Sequence, residues 1–133
     1  MEKIRFATVI NCIDGRIQKP VAEWMKKYFN VHYVDSITEP GVDKVLLESG
    51  EVVELIKQNV LISVTAHNSC GIAVVGHYDC ARNPVSEEGH RKQIKKCVEI
   101  IKSWGLGVPI VGLWVNKEWE VEIISDPENS GFA

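Results

Sequence analysis

No apolar run in the 133 residues approaches the roughly 20 needed to cross a bilayer, which excludes a membrane-spanning helix. The N-terminal Met-Glu-Lys-Ile-Arg-Phe passes directly into a strand pattern and lacks the apolar core and cleavage site of a signal peptide, so a cytoplasmic protein is expected. There is no dense basic block. Lys26-Lys27 and Arg91 to Lys96 lie in helix-like stretches, where a solvated face is the simpler reading, and a net charge of −3 with a pI near 5.8 argues against nucleic acid as a partner. Repeats, low-complexity tracts and linkers are absent too, and the length suits a single domain over residues 1–133. Cysteine is scarce at four, and in a reducing compartment these are metal ligands, nucleophiles or buried thiols before they are disulfide partners.

What is present is an alternation of strands and helices. Residues 4–11 form a β-rich run, and 17–29 a helix with Pro20 near its start and Val21, Trp24, Met25 and Phe29 on one face. Residues 31–37 read as a second strand. Glu39-Pro40-Gly41 then turns into a helical region that breaks at Ser49-Gly50 and resumes to about Asn68, with Val52, Leu55, Ile56 and Val60 spaced for one buried side. Residues 71–76 are continuously apolar, as in a strand covered on both faces. Ser86 suits the N-cap of a helix to Trp104, with Ile94, Cys97, Val98 and Ile101 repeating on its apolar side. Residues 109–115 and 119–124, separated by Asn116-Lys117-Glu118, read as a closing hairpin. The expected fold is α/β: a mostly parallel sheet flanked by helices, with a C-terminal antiparallel strand.

Two short segments follow the carboxyl ends of predicted parallel strands: Cys12-Ile13-Asp14-Gly15-Arg16 and His77-Tyr78-Asp79-Cys80. Ligands of open α/β sheets collect at such ends, so the two can converge despite their separation in the chain. Two thiolates and one imidazole make a three-donor set that suits Zn2+ and leaves a fourth position open. A Cys-x-Asp-x-Arg arises by chance in a chain of this composition at only about 0.005, which makes the pairing with His-x-x-Cys informative. A thiol-phosphatase or rhodanese loop is a poor match, because it wraps its oxyanion with five residues between cysteine and arginine and here there are three.

With Gly76 ahead of the second segment, these residues resemble the paired Cys-x-Asp-x-Arg and His-x-x-Cys motifs of the β-class carbonic anhydrases. The resemblance extends from Ile4 to Ile124 through the strand layout and the closing hairpin. It implies zinc ligands at Cys12, His77 and Cys80 and a catalytic dyad of Asp14 and Arg16. The implied activity is that of a zinc lyase: reversible hydration of CO2 to bicarbonate by a zinc-bound hydroxide that the dyad holds. It also implies a homodimer or higher even oligomer. Where that family carries Arg-x-Ala-Gly-Asn this chain reads Asp35 to Gly41, and Ala81-Arg82 stands where a small glycine pair follows the last ligand. Hydrolysis of a related electrophile such as COS or CS2, or a zinc-binding regulatory role with little turnover, therefore stands as an alternative. Cys97 reads as core packing, Cys70 as a thiol at a helix end, and His32, His67 and His90 as satisfied or solvated histidines before proton shuttles.

Overall fold

The computed structural model describes residues 3–127. Its element order is β1 (Phe6–Asn11), α1 (Gly15–Tyr28), β2 (Tyr33–Thr38), α2 (Val42–Val45), α3 (Glu51–Ala66), β3 (Ile72–His77), α4 (Glu87–Lys102), β4 (Ile110–Val115) and β5 (Val121–Ser125). The sheet order is β2-β1-β3-β4-β5, with β5 alone antiparallel. The expected α/β sheet is thus the observed one.

Side-chain alternation along the buried strands divides the core into two layers. Val9 on β1 and Ala73 and Val75 on β3 face α1, whose Ile17, Val21, Met25 and Phe29 fill that side. Ile10, Ile72 and Val74 face the other way, against α2, α3 and α4 through Val42, Leu46, Ile56, Val60, Cys97, Val98 and Ile101. The stripe expected on α4 is fully buried. That of α3 differs: Ile56 and Val60 are buried, whereas Val52 and Leu55 are exposed. This helix is apolar around most of its circumference, so periodicity does not select the side that meets the sheet.

α1 starts two residues earlier than the apolar pattern suggests. Asp14 is its N-cap, with the carboxylate accepting the Arg16 N–H at 2.9 Å, and a cap precedes the first residue of the buried stripe. Chain order and sheet order diverge at β1, which has β2 on one side and β3 on the other. This is the switch point where an open α/β sheet leaves a crevice at its carboxyl edge. Thr8, Val9 and Ile10 pair with Ile72, Ala73 and Val74, and continuing this register brings Cys12 level with Gly76, beside His77.

Candidate metal centre

The three predicted donors meet in space. One ligand atom from each of Cys12, His77 and Cys80 lies within 4.8 Å of the other two, and all three residues are buried. Among the described residues no other group of three such side chains forms a metal-sized cluster. His77 is the last residue of β3 rather than the first beyond it, and Cys80 follows after a turn in which Asp79 adopts φ 58°.

The orientation of the imidazole decides what the cluster can hold. Tyr78 O accepts a hydrogen bond from His77 Nδ1–H at 2.8 Å; a carbonyl cannot donate, so the tautomer is set. Nε2 is then the atom left to face the sulfurs, and it is buried with no hydrogen-bond partner among the described residues. The Cys12 sulfur is near enough to act on it electrostatically without normal hydrogen-bond geometry. A buried lone pair without a donor is costly in a folded protein, and a cation resolves it. Two thiols with this imidazole fit zinc.

Backbone amides surround both sulfurs. Gly41 N–H reaches Cys12 Sγ at 3.4 Å, and the Asp14 amide also points to it. Arg82 and Asn83 amides face Cys80. Gly41 reaches the sulfur at φ 59°, and a Cβ there would sit 3.1 Å from the Arg82 backbone, so glycine suits this contact. Burial alone would raise the Cys12 pKa; the His77 ring and the two amides outweigh it and bring the thiol down to about 7. Burial, joined by the nearby Cys12 charge, pushes Cys80 up. Burial disfavours the His77 imidazolium, yet the Cys12 sulfur and the Tyr78 carbonyl raise its pKa.

Asp14 and Arg16, the two residues of the dyad that the resemblance implies, form a bidentate ion pair. Arg16 Nη2 and Nε donate to Asp14 Oδ2 and Oδ1 at 2.7 and 3.0 Å. These bonds outweigh partial burial and hold the Asp14 carboxyl at about 2. Arg16 has further partners that spacing does not reveal. It donates to Asp79 Oδ2 and Asp79 O, both at 3.2 Å, and its guanidinium carbon lies 4.6 Å from the centre of the Trp119 ring. Arg16 therefore bridges the loops after β1 and β3 and stacks on the β4–β5 hairpin. Gln18 is a second unforeseen support: its Nε2 donates to the carbonyls of Cys12 and Asp14 at 2.9 and 2.8 Å, closing the ligand loop onto α1. No motif marks Gln18; only its position in the first turn of the helix does.

A cavity of about 560 Å3 opens beside Cys80, walled by Tyr78, Asp79, His90, Trp114 and Glu122 among others. His32 and His67 lie elsewhere. They bond Arg5 N and Asp35, next to the start of β1 and away from the carboxyl edge. Cys97 is core, its thiol pushed up to about 12 by burial, first of all, and by Asp43.

With the geometry in place, the comparisons are specific. A family model described as "Putative carbonic anhydrase" matches residues 2–125. The chain belongs to that carbonic anhydrase family. It is a divergent β-carbonic-anhydrase-like member, and among curated proteins no sequence match was found. Its fold is similar to that of β-carbonic anhydrase isoform I from Trichomonas vaginalis, with a TM-score of 0.60 at 16% identity over 96% of this chain and 88% of that one. A carbonic anhydrase from Glaciozyma antarctica is similar at TM-score 0.58 and 16% identity, covering 89% and 81%. A tetrameric β-carbonic anhydrase from the ascomycete Sordaria macrospora is similar at TM-score 0.58 and 8% identity, covering 91% and 81%. Among the described residues of this carbonic anhydrase homologue, no helix is long and apolar enough to cross a membrane, and all four cysteines are free.

Proposed function

We propose that this chain, folding as one domain in a reducing compartment such as the cytoplasm, catalyses reversible hydration of CO2 to bicarbonate with Zn2+ held by Cys12, His77 and Cys80. The observation that carries the reading is the Asp14–Arg16 pair standing beside a buried Cys-His-Cys cluster whose imidazole Nε2 has no partner. Zinc, when bound, supplies the Lewis acidity that makes water nucleophilic near neutral pH.

The rest falls to the protein's own groups. Asp14 Oδ1 already accepts two bonds, from Arg16 N and Nε, whereas Oδ2 accepts one, from Nη2. Oδ2 thus keeps a lone pair for the attacking water and can aim that water's oxygen at the carbon of CO2. With its pKa at about 2, Asp14 is ionised throughout the physiological range and accepts without taking the proton for itself. Arg16 holds both carboxylate oxygens and keeps them out of the ligand set. Once bicarbonate has formed, a proton leaves to solvent.

A second copy of the chain is part of the proposal. β2 is an open sheet edge, and the neighbouring α3 exposes Val52, Leu55 and Ile62 at helical spacing. Such an edge beside an apolar helix face suits pairing in a homodimer or higher even oligomer. Sedimentation showing a monomer at micromolar concentration would contradict that part.

Metal analysis followed by stopped-flow CO2 hydration at pH 7 and pH 9 tests the activity. The expected result is stoichiometric zinc, measurable hydration, and a loss of roughly 100-fold or more in Asp14→Asn with zinc retained. Zinc without hydration, but with sulfide released from COS or CS2, moves the reading to a related hydrolase. Zinc with neither activity makes the chain a zinc-binding protein, and no zinc after reconstitution removes all three.

A further inference from the structure

Behind the donors, on the opposite face of the sheet, lies a buried polar cluster that no step above uses. Asp43, Asn83 and His90 are each at most 2% exposed. Asp43 Oδ1 accepts a hydrogen bond from Asn83 Nδ2 at 2.9 Å, its Oδ2 meets His90 Nδ1 at 2.5 Å, and its backbone carbonyl accepts from Cys97 Sγ at 3.2 Å. Asn83 Nδ2 also donates to Gln93 Oε1 at 2.7 Å, while Asn83 Oδ1 has no partner among the described residues. Well-packed apolar residues commonly fill such a space with equal or greater stability, so stability is a weak reason for a carboxylate here.

Its connections suggest a better reason. Asp43 lies two residues beyond Gly41, whose amide reaches the Cys12 sulfur. Its partner Asn83 lies three residues beyond Cys80, and the Asn83 amide faces the Cys80 sulfur. Asp43 Oδ2 also rests against Gly76, the neighbour of His77; a Cβ on Gly76 would come within 2.6 Å of that oxygen. One carboxylate therefore abuts or ties down the chain segments of all three donors.

We propose that Asp43 is a positioning residue for the metal centre, fixing through Asn83 and the Gly41 turn the amides that aim both cysteine sulfurs, with His90 holding the carboxylate in place. The inference rests on reading Cys12, His77 and Cys80 as a zinc site, and it is independent of which substrate that site serves. Partners beyond the ligands themselves set donor direction, and losing one typically weakens metal binding 10- to 100-fold.

The test measures the zinc dissociation constant by chelator competition and the visible spectrum after cobalt replaces zinc. Asp43→Asn is isosteric, and it is expected to bind zinc about tenfold more weakly and to shift the cobalt bands. Asn83→Ala, which keeps the Asp43 carboxylate but removes its tether to the Cys80 loop along with the Gln93 contact, is expected to move both readouts in the same direction. Ile56→Val, a core change on α3 outside the hydrogen-bonded cluster, serves as the control for general destabilisation and is expected to leave both unchanged. Should Asp43→Asn fail to fold, Asn83→Ala decides alone. Wild-type affinity and spectrum in the folded variants, or an equal change in Ile56→Val, overturns the inference while the zinc site stands. A wild-type protein that takes up no metal overturns the site itself.

Discussion

Removing zinc held at about 100 times its dissociation constant should lower the melting temperature by about 10 °C. Without metal, His77 Nε2 is a buried polar atom with no partner, and Cys80 must keep its proton in a buried position. A ligand that binds only the folded state at 100 times its dissociation constant adds about 2.7 kcal/mol. Unfolding entropy of about 2.1 cal/mol/K per residue, over 133 residues, is about 0.28 kcal/mol/K, so that stabilisation corresponds to about 10 °C. Differential scanning calorimetry with free zinc buffered at that level, compared with a chelator-treated sample, provides the assay. Cys12→Ala removes one of the three donors, and its melting temperature should no longer respond to zinc. A wild-type protein melting at the same temperature in both samples would refute the reasoning, as would a Cys12→Ala variant that keeps the full response.

Further predictions concern pH and the supports of the site. Zinc requires both thiols deprotonated and the imidazole neutral, so affinity should fall with falling pH because of Cys80, and more steeply below about 7, where metal-free Cys12 takes up its proton. At pH 6, zinc uptake should release protons from Cys12, Cys80 and His77, whose value is raised; at pH 8 fewer should leave, because Cys12 is already ionised, and a pH-indicator titration counts them. Asp79→Asn weakens one anchor of Arg16 in an exposed ion pair, so stability should change by no more than about 0.5 kcal/mol while kcat for CO2 falls several-fold, read by thermal melts and stopped flow. Gly76→Ala puts a methyl 2.6 Å from Asp43 Oδ2 and 2.9 Å from Ile94 Cδ1, and overpacking of that kind should cost about 1–3 kcal/mol in denaturant unfolding.

Much of the molecule was legible in order of sequence. The alternating strands and helices, the buried stripe of α4 and the two donor segments are local properties, written in spacings of two, three and four residues. The Asp14–Arg16 pair is expected from the family resemblance, and it joins residues only two positions apart. Asp43 and His90 left only a faint trace: His90 falls on the apolar stripe with Ile94, Cys97 and Ile101, which is where a buried polar partner would be sought, but its carboxylate lies 47 positions away.

The sequence by itself determined which elements form and which chemistry the chain carries: thiols, an imidazole and a carboxylate–guanidinium pair at strand ends. Only the tertiary structure decided that α3 turns Ile56 and Val60 inward and leaves Val52 and Leu55 exposed, that Arg16 spans to Asp79 and Trp119, that Gln18 bonds the Cys12 and Asp14 carbonyls, and that Asp43 is buried against Asn83 and His90. The physical reason is range. Hydrogen-bonded helices and pleated strands repeat over a few residues, whereas the direction of a sulfur lone pair depends on amides brought alongside by sheet register and helix packing.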